Sequence, residues 1–156
     1  KGVIRTFSYE FYDQNTGEAN PERNFGMIRT DGGEKPGYVA LKNMITVLND
    51  KGTAFSPGKL NYTLSGSTSN VHSTLLQKRD GKFYLALWLG VQEYNPDTQV
   101  ENPAGNQTVT VTVPTIAIAE VCTINTGTSF SSISISSGSF TVAVNGHAKI
   151  LRLTHV

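Results

Sequence analysis

The chain has 156 residues, 38% of them hydrophobic and 16% charged, with a formal net charge of +1. That length can bury the core of one domain, or of one domain with a small appendage. The near-neutral balance excludes a strong field directed at nucleic acid or an anionic membrane surface, and no apolar run approaches the roughly 20 residues that span a bilayer. The N-terminus, Lys1 to Arg5, lacks the apolar core of a signal peptide. The chain is therefore expected to be soluble, and to be a mature or excised fragment.

Taken in chain order, the first predicted element is a strand in "VIRTFSYEFYDQ", rich in aromatic and β-branched residues, followed by a polar loop from Asn15 to Asn24. In the stretch Asn24 to Leu48, Pro36 falls where a first helical position belongs, and Tyr38, Leu41, Met44, Ile45 and Leu48 recur at helical spacing. Gly52 stops the pattern, so one helix is expected over roughly residues 36–50.

From Leu60 the period falls to two. In "NVHSTLLQKRDGKFYLALWLGV" two strand runs flank Asp80-Gly81, a pair suited to a tight hairpin turn. A two-residue turn there pairs Gln77 with Tyr84, Leu75 with Ala86 and Ser73 with Trp88, and puts Leu76, Phe83, Leu85, Leu87 and Leu89 on the other face. With both faces substantially apolar, the hairpin is expected to be central and covered on both sides. Further strands are expected in "QTVTVTVP", "IAIAEVCTI", "SSISIS", "SFTVAV" and "AKILRL", with turns at Pro114-Thr115, Asn125 to Gly127, Ser137-Gly138 and Asn145-Gly146. The fold class is mainly β: an antiparallel sandwich of about seven or eight strands, with one N-terminal strand and one helix packed on it. The longest irregular segment of this half is "EYNPDTQVENPAG", and long ordered loops are often functional.

Self-contained chemistry is nearly absent. The single cysteine, Cys122, excludes an internal disulfide and a multi-thiolate zinc site within one chain, and its apolar setting is that of a buried small hydrophobe. His72, His147 and His155 have no metal-ligand spacing, so no metal is expected. "TDGGEKPG" lacks the lysine-hydroxyl signature of a phosphate loop, there is no GxSxG elbow, and no cofactor is expected. Glu10 and Asp13 lie at the end of the first strand run, where a parallel barrel delivers side chains to its active rim. Taken alone they also suit solvated or turn-forming carboxylates.

The string "YEFYDQ" followed by "NPERNFGMIRTDGGEKPGYVALKNMITVL" resembles the last strand, loop and helix of the TIM barrel in bacterial glycoside hydrolases of the cellulase and xylosidase type. Gly37 stands where alanine is usual in that phrase. The remainder is similar to the C-terminal β-sandwich that such enzymes often carry, with "NDKGTAFSPGKL" as the linker, so the division expected is residues 1–52 from a barrel and 53–156 as the sandwich.

The resemblance implies that Glu10 belongs to the eighth strand and that both catalytic glutamates, at the ends of the fourth and seventh, lie outside this chain. A retaining glycosidase needs its two carboxyl groups about 5 Å apart, so no catalytic residue is assigned and no hydrolysis is expected of the chain alone. It further implies a secreted, extracellular protein. Two roles stay open. One is a carbohydrate-binding accessory module that takes β-glucan or xylan on surface aromatics, with Trp88, Tyr84, Tyr94, Gln92, Glu93 and Asn95 as binding residues and Glu10 and Asp13 as rim candidates. The other is a structural buttress with no sugar affinity, its helix stripe made for barrel elements or for self-association. A sandwich with some other interaction partner is a remoter third role. For Trp88 itself, packing under the helix or within the sandwich is the competing assignment. The partner expected is a polysaccharide or oligosaccharide, with no nucleic acid and no membrane.

Overall fold

The computed structural model describes residues 7–14, 21–95, 97–98 and 100–155. Among the described residues a 3-10 turn (Pro21–Asn24) and one α-helix, α1 (Pro36–Leu48), precede the strands β1 (Thr63–Gly66), β2 (Val71–Gln77), β3 (Phe83–Leu89), β4 (Tyr94–Asn95), β5 (Val100–Glu101), β6 (Gln107–Thr112), β7 (Ile116–Thr123), β8 (Ser131–Ile133), β9 (Ser139–Val144) and β10 (Lys149–His155). They form a three-stranded sheet in the order β1-β6-β9, a five-stranded sheet in the order β2-β3-β10-β7-β8, and a separate β4-β5 ribbon. All strand pairs are antiparallel. The eight strands of the two larger sheets are the sandwich that the alternating sequence predicts.

Alternation builds the core directly. In "QTVTVTV" the valines Val109, Val111 and Val113 point inward and are fully buried, while the threonines between them stay wetter. They meet Phe140, Val142 and Val144 of β9 on their own sheet, and Phe83, Leu85, Leu87, Leu151 and Leu153 from the facing one. The β8–β9 connection turns at Ser137 and Gly138, both at positive φ (48° and 74°), the backbone a tight two-residue hairpin demands.

The β2–β3 hairpin departs from its predicted register. Lys78 and Lys82 close a three-residue loop, with the Gly81 N–H donating to the Lys78 carbonyl (3.0 Å) and Gly81 at φ 79°. A three-residue loop ending in a left-handed glycine is the next commonest hairpin after the two-residue type. The shift of one residue pairs Gln77 with Phe83, Leu75 with Leu85 and Ser73 with Leu87. A one-residue slip exchanges faces: those pairs now share the inner side of the sheet, where Leu75 packs on the core and Ser73 stays exposed, and His72, Thr74 and Leu76 join Trp88, Ala86 and Tyr84 outside. The expectation of a hairpin central throughout is corrected too, since β2 is an edge strand and only β3 is covered on both faces.

Helix α1 covers the outer face of the five-stranded sheet. Val47, with Ala40, Met44 and Leu48, packs on Tyr84, Ile150, Cys122 and Ile124. The buried arc is thus rotated from the predicted stripe: Ile45 is 61% exposed, and the Tyr38 ring meets Phe11 edge-on at 5.9 Å. Ala40 and Val47 supply the packing side that a stripe drawn through the larger residues omits. Cys122 is buried there, as its apolar setting predicts, and burial pushes its thiol pKa up. Two polar contacts fasten the helix. Asn43 Nδ2 donates to the Ile124 carbonyl (2.7 Å), and Lys78 Nζ donates to the Val47 carbonyl (3.0 Å), satisfying an orphan of the last turn. Arg79 of the hairpin loop pairs with Asp50 (2.8 Å) just beyond.

Of the predicted N-terminal strand, residues 3–6 lie outside the described residues. Residues 7–14 pair with neither sheet and contribute only a parallel bridge between Tyr12 and Ile28. A strand needs a neighbour along its edge, and Met27–Ile28 is the segment beside it. A turn around Asp31 to Gly33 follows, closed by the Gly32 N–H on the Arg29 carbonyl (2.9 Å).

Candidate functional site

The loop expected to carry function contains the β4–β5 ribbon, which projects between β3 and β6. Its base is held by Glu93: the Asn102 N–H donates to the Glu93 carbonyl (2.8 Å) and the Ala104 N–H to Glu93 Oε1 (2.8 Å). Across from it, Gly146 of the β9–β10 turn lies so close to the Glu93 carboxylate that any side chain at 146 would displace it. At the tip, Asn95 Oδ1 accepts from the Asp97 and Thr98 N–H groups (2.9 and 3.2 Å), an Asx turn.

Tyr94 is 50% exposed and separates two shallow grooves. One, of about 260 Å³, is lined by Gln92, Tyr94, Asn95, Asp97 and Asn102. The other, of about 320 Å³, is lined by Glu93, Tyr94, Glu101, Pro103 and His147. The ribbon therefore presents one aromatic ring flanked by amides, carboxylates and an imidazole. Gln92, Glu93, Tyr94 and Asn95 of the sequence-predicted set come together here. Asp97, Glu101, Asn102 and His147 join them, the last from another turn of the fold.

The other predicted residues lie elsewhere. Trp88 is half-buried on the outer face of β3, its ring stacked on His72 at 5.6 Å between centroids. Tyr84 is buried among the residues that receive α1. Its hydroxyl donates to Asp80 Oδ2 (2.9 Å), and Lys78 Nζ sits 4.9 Å from its ring centre. Burial first, and the Asp80 carboxylate second, push its pKa up to about 12. Because the folded value exceeds the ordinary one near 10, Tyr84 contributes stability that is complete below that pH and lost as pH rises toward 12. Ultraviolet titration is expected to show one phenol ionising at about 12, and Tyr84→Phe is expected to remove that step; an unchanged titration curve would contradict the assignment.

Neither rim carboxylate is simply solvated. Asp13 is buried and pairs with Lys35 Nζ (2.6 Å), which also donates to the Asn24 carbonyl (2.8 Å). This ion pair ties the residues before the loop to those leading into α1. Glu10 accepts from Gln14 Nε2 (3.1 Å) through Oε2, while its Oε1 is buried without a partner. Among the described residues no group of three His, Cys, Asp or Glu side chains is placed to hold a metal ion, and no helix is long and apolar enough to cross a membrane.

Sequence reasoning missed one cluster. On the outer face Arg152 of β10 lies in register between Tyr84 of β3 and Glu120 of β7. Its Nε and Nη2 each donate to a Glu120 oxygen at 2.6 Å, and its guanidinium sits 4.1 Å from the Phe130 ring centre. A signal existed: Glu120 is the lone charge in the apolar run "IAIAEVCTI", and Arg152, of opposite sign, the lone charge in "ILRL".

No family model and no curated protein matches the chain. In structure it is similar to a family 39 glycoside hydrolase from the gut symbiont Bacteroides cellulosilyticus WH2, at 18% sequence identity and a TM-score of 0.57, over 93% of this chain and 25% of that one. The chain thus spans about a quarter of the length of that protein, and at this identity the likeness is one of fold.

Proposed function

We propose that the chain is an accessory portion of a glycoside hydrolase that holds a polysaccharide, of the β-glucan or xylan type, on its β4–β5 ribbon. The observation that carries this is Tyr94, half exposed between two grooves lined by hydrogen-bonding side chains. A pyranose has an apolar face that stacks on an aromatic ring and hydroxyls around its edge, so one ring bordered by amides and carboxylates matches both halves of its surface. The fold shared with a family 39 glycoside hydrolase supplies the context. In this reading residues 1–52 belong to the barrel, hydrolysis is carried out by carboxylates of the parent protein outside this chain, and the parent acts outside the cell, where such polymers are.

The test is retention in affinity gels containing soluble β-glucan or xylan, and pull-down on insoluble cellulose. The chain should be retarded or captured, and Tyr94→Ala should abolish this while leaving thermal unfolding within about 0.5 kcal/mol of wild type, as for other exposed sites. If the folded chain is retained by none of these polymers, the binding reading fails.

The buttress reading then takes its place, and one observation favours it independently. Phe7, Tyr9, Phe11, Tyr12 and Phe25 are all exposed, Phe7 by 84%. Four of these aromatics crowd residues 7–12, and so dense a set suits burial against a partner surface such as a catalytic barrel.

A further inference from the structure

We infer that the Tyr94 ribbon discriminates by charge, accepting neutral and amino-bearing glycans and turning away those built from uronic acids or other anionic sugars. This rests on the saccharide reading above and names the class of sugar that the same surface takes.

Three carboxylates line the two grooves that Tyr94 borders: Asp97 in one, Glu93 and Glu101 in the other. None of the described residues lining either groove is Lys or Arg, and among the described residues none of the three acids is in an ion pair. Their charge is thus uncompensated at the place where a stacked sugar would sit. The Glu93 carboxylate is also held in position, anchored by the Ala104 N–H and wedged against Gly146, and the backbone of Glu101 is set opposite Tyr94 by the β4–β5 pairing. His147 is the one side chain lining the grooves that can carry a positive charge, and it can offset at most a single charge of the three.

For a neutral sugar these carboxylates are hydrogen-bond acceptors for hydroxyl groups, and charge-assisted acceptors are the stronger kind. For an anionic sugar the same oxygens repel. Charges a few ångströms apart at a wet surface interact by roughly the thermal energy each, and several acting together change affinity about tenfold at low ionic strength, with the effect fading as salt is added. For an amino sugar the sign reverses, and an ammonium group meets the Asp97 carboxylate in one groove or those of Glu93 and Glu101 in the other.

The test uses three polymers with the same β-linked pyranose backbone: hydroxyethylcellulose, carboxymethylcellulose and chitosan oligomers, titrated into the full chain in mildly acidic, low-salt buffer. Chitosan oligomers are expected to bind about tenfold tighter than the neutral polymer and carboxymethylcellulose about tenfold weaker, with both gaps closing as salt is added. Asp97→Asn combined with Glu101→Gln should narrow both gaps, each read as a ratio to the same variant's affinity for hydroxyethylcellulose, with the melting temperature close to wild type; that neutral affinity should itself fall, because two charge-assisted acceptors become neutral ones. Carboxymethylcellulose binding as tightly as the neutral polymer, or gaps that persist in the double variant, would overturn the charge selection and leave the saccharide site standing. Absence of binding to all three by a folded chain would remove the saccharide site and the selection together.

Discussion

Replacing Phe83 with alanine is expected to lower the free energy of unfolding by about 3–5 kcal/mol, the largest effect of any single change considered for this chain. Phe83 opens β3, pairs with Gln77 on one side and Leu153 on the other, and is 1% exposed. It belongs to the core between the sheets, and its ring also reaches the linker, where Gly58 approaches it. Truncation removes the transfer free energy of a benzyl group and leaves a cavity whose walls come from three strands and the linker, a set that cannot collapse together. Urea unfolding followed by the fluorescence of Trp88 measures the loss. A change below about 1 kcal/mol would show that position 83 faces outward.

That experiment bears on how far the fold can be read from residues. Strand identity was legible because alternation is a property of side chains: the valines of "QTVTVTV" and the apolar positions of "SFTVAV" name their own inner faces. Register in the β2–β3 hairpin was not, because it depends on whether Arg79 belongs to the strand or to the loop. Asp80-Gly81 satisfies a two-residue turn and a three-residue loop equally well at the level of sequence, and both faces of β3 are apolar, so hydrophobicity did not arbitrate. Position 79 is settled by tertiary contacts, the pairing of Arg79 with Asp50 and of Lys78 with the end of α1. The same holds for the helix: its period was visible, but which arc it buries depends on how near the sheet lets Ala40 and Val47 come.

The ribbon was legible as a place and only partly as a site. The loop from Glu93 to Gly105 announces itself by length, and Gln92 to Asn95 are contiguous in sequence. His147 reaches the same groove only because the β9–β10 turn folds against Glu93, with Gly146 allowing the approach. Tyr84 shows the opposite limit. It shares a sheet face with Trp88, but that face is the one α1 covers, and no periodicity within β3 contains the helix.

Removing Arg152 is expected to be the second most damaging change, and its effect should depend on pH. The Arg152 guanidinium, bidentate at 2.6 Å, is the chief cause that holds the Glu120 carboxyl below its ordinary value. Side-chain exposures of 27% for Arg152 and 17% for Glu120 place the pair between buried and surface cases. Breaking a fully buried pair costs about 3–5 kcal/mol and an exposed one less than about 1 kcal/mol. Arg152→Met, which keeps the apolar stem, should therefore lose about 2–3 kcal/mol at neutral pH, part of it from the lost contact with Phe130. Because the folded-state pKa of Glu120 is depressed, the stability it contributes is present above the ordinary glutamate value near 4.3 and is lost as pH falls through the folded value. Wild type and Arg152→Met should thus differ most at neutral pH and converge in acid, where a protonated Glu120 has no pair to lose. Urea unfolding of both proteins across that range measures the difference. Adding Glu120→Gln to the variant should recover part of the neutral-pH loss, because the carboxylate left without its cation is then gone; a gap of constant size down to acid pH would mean that Arg152 stabilises the sheet by packing on Phe130 and not by its charge.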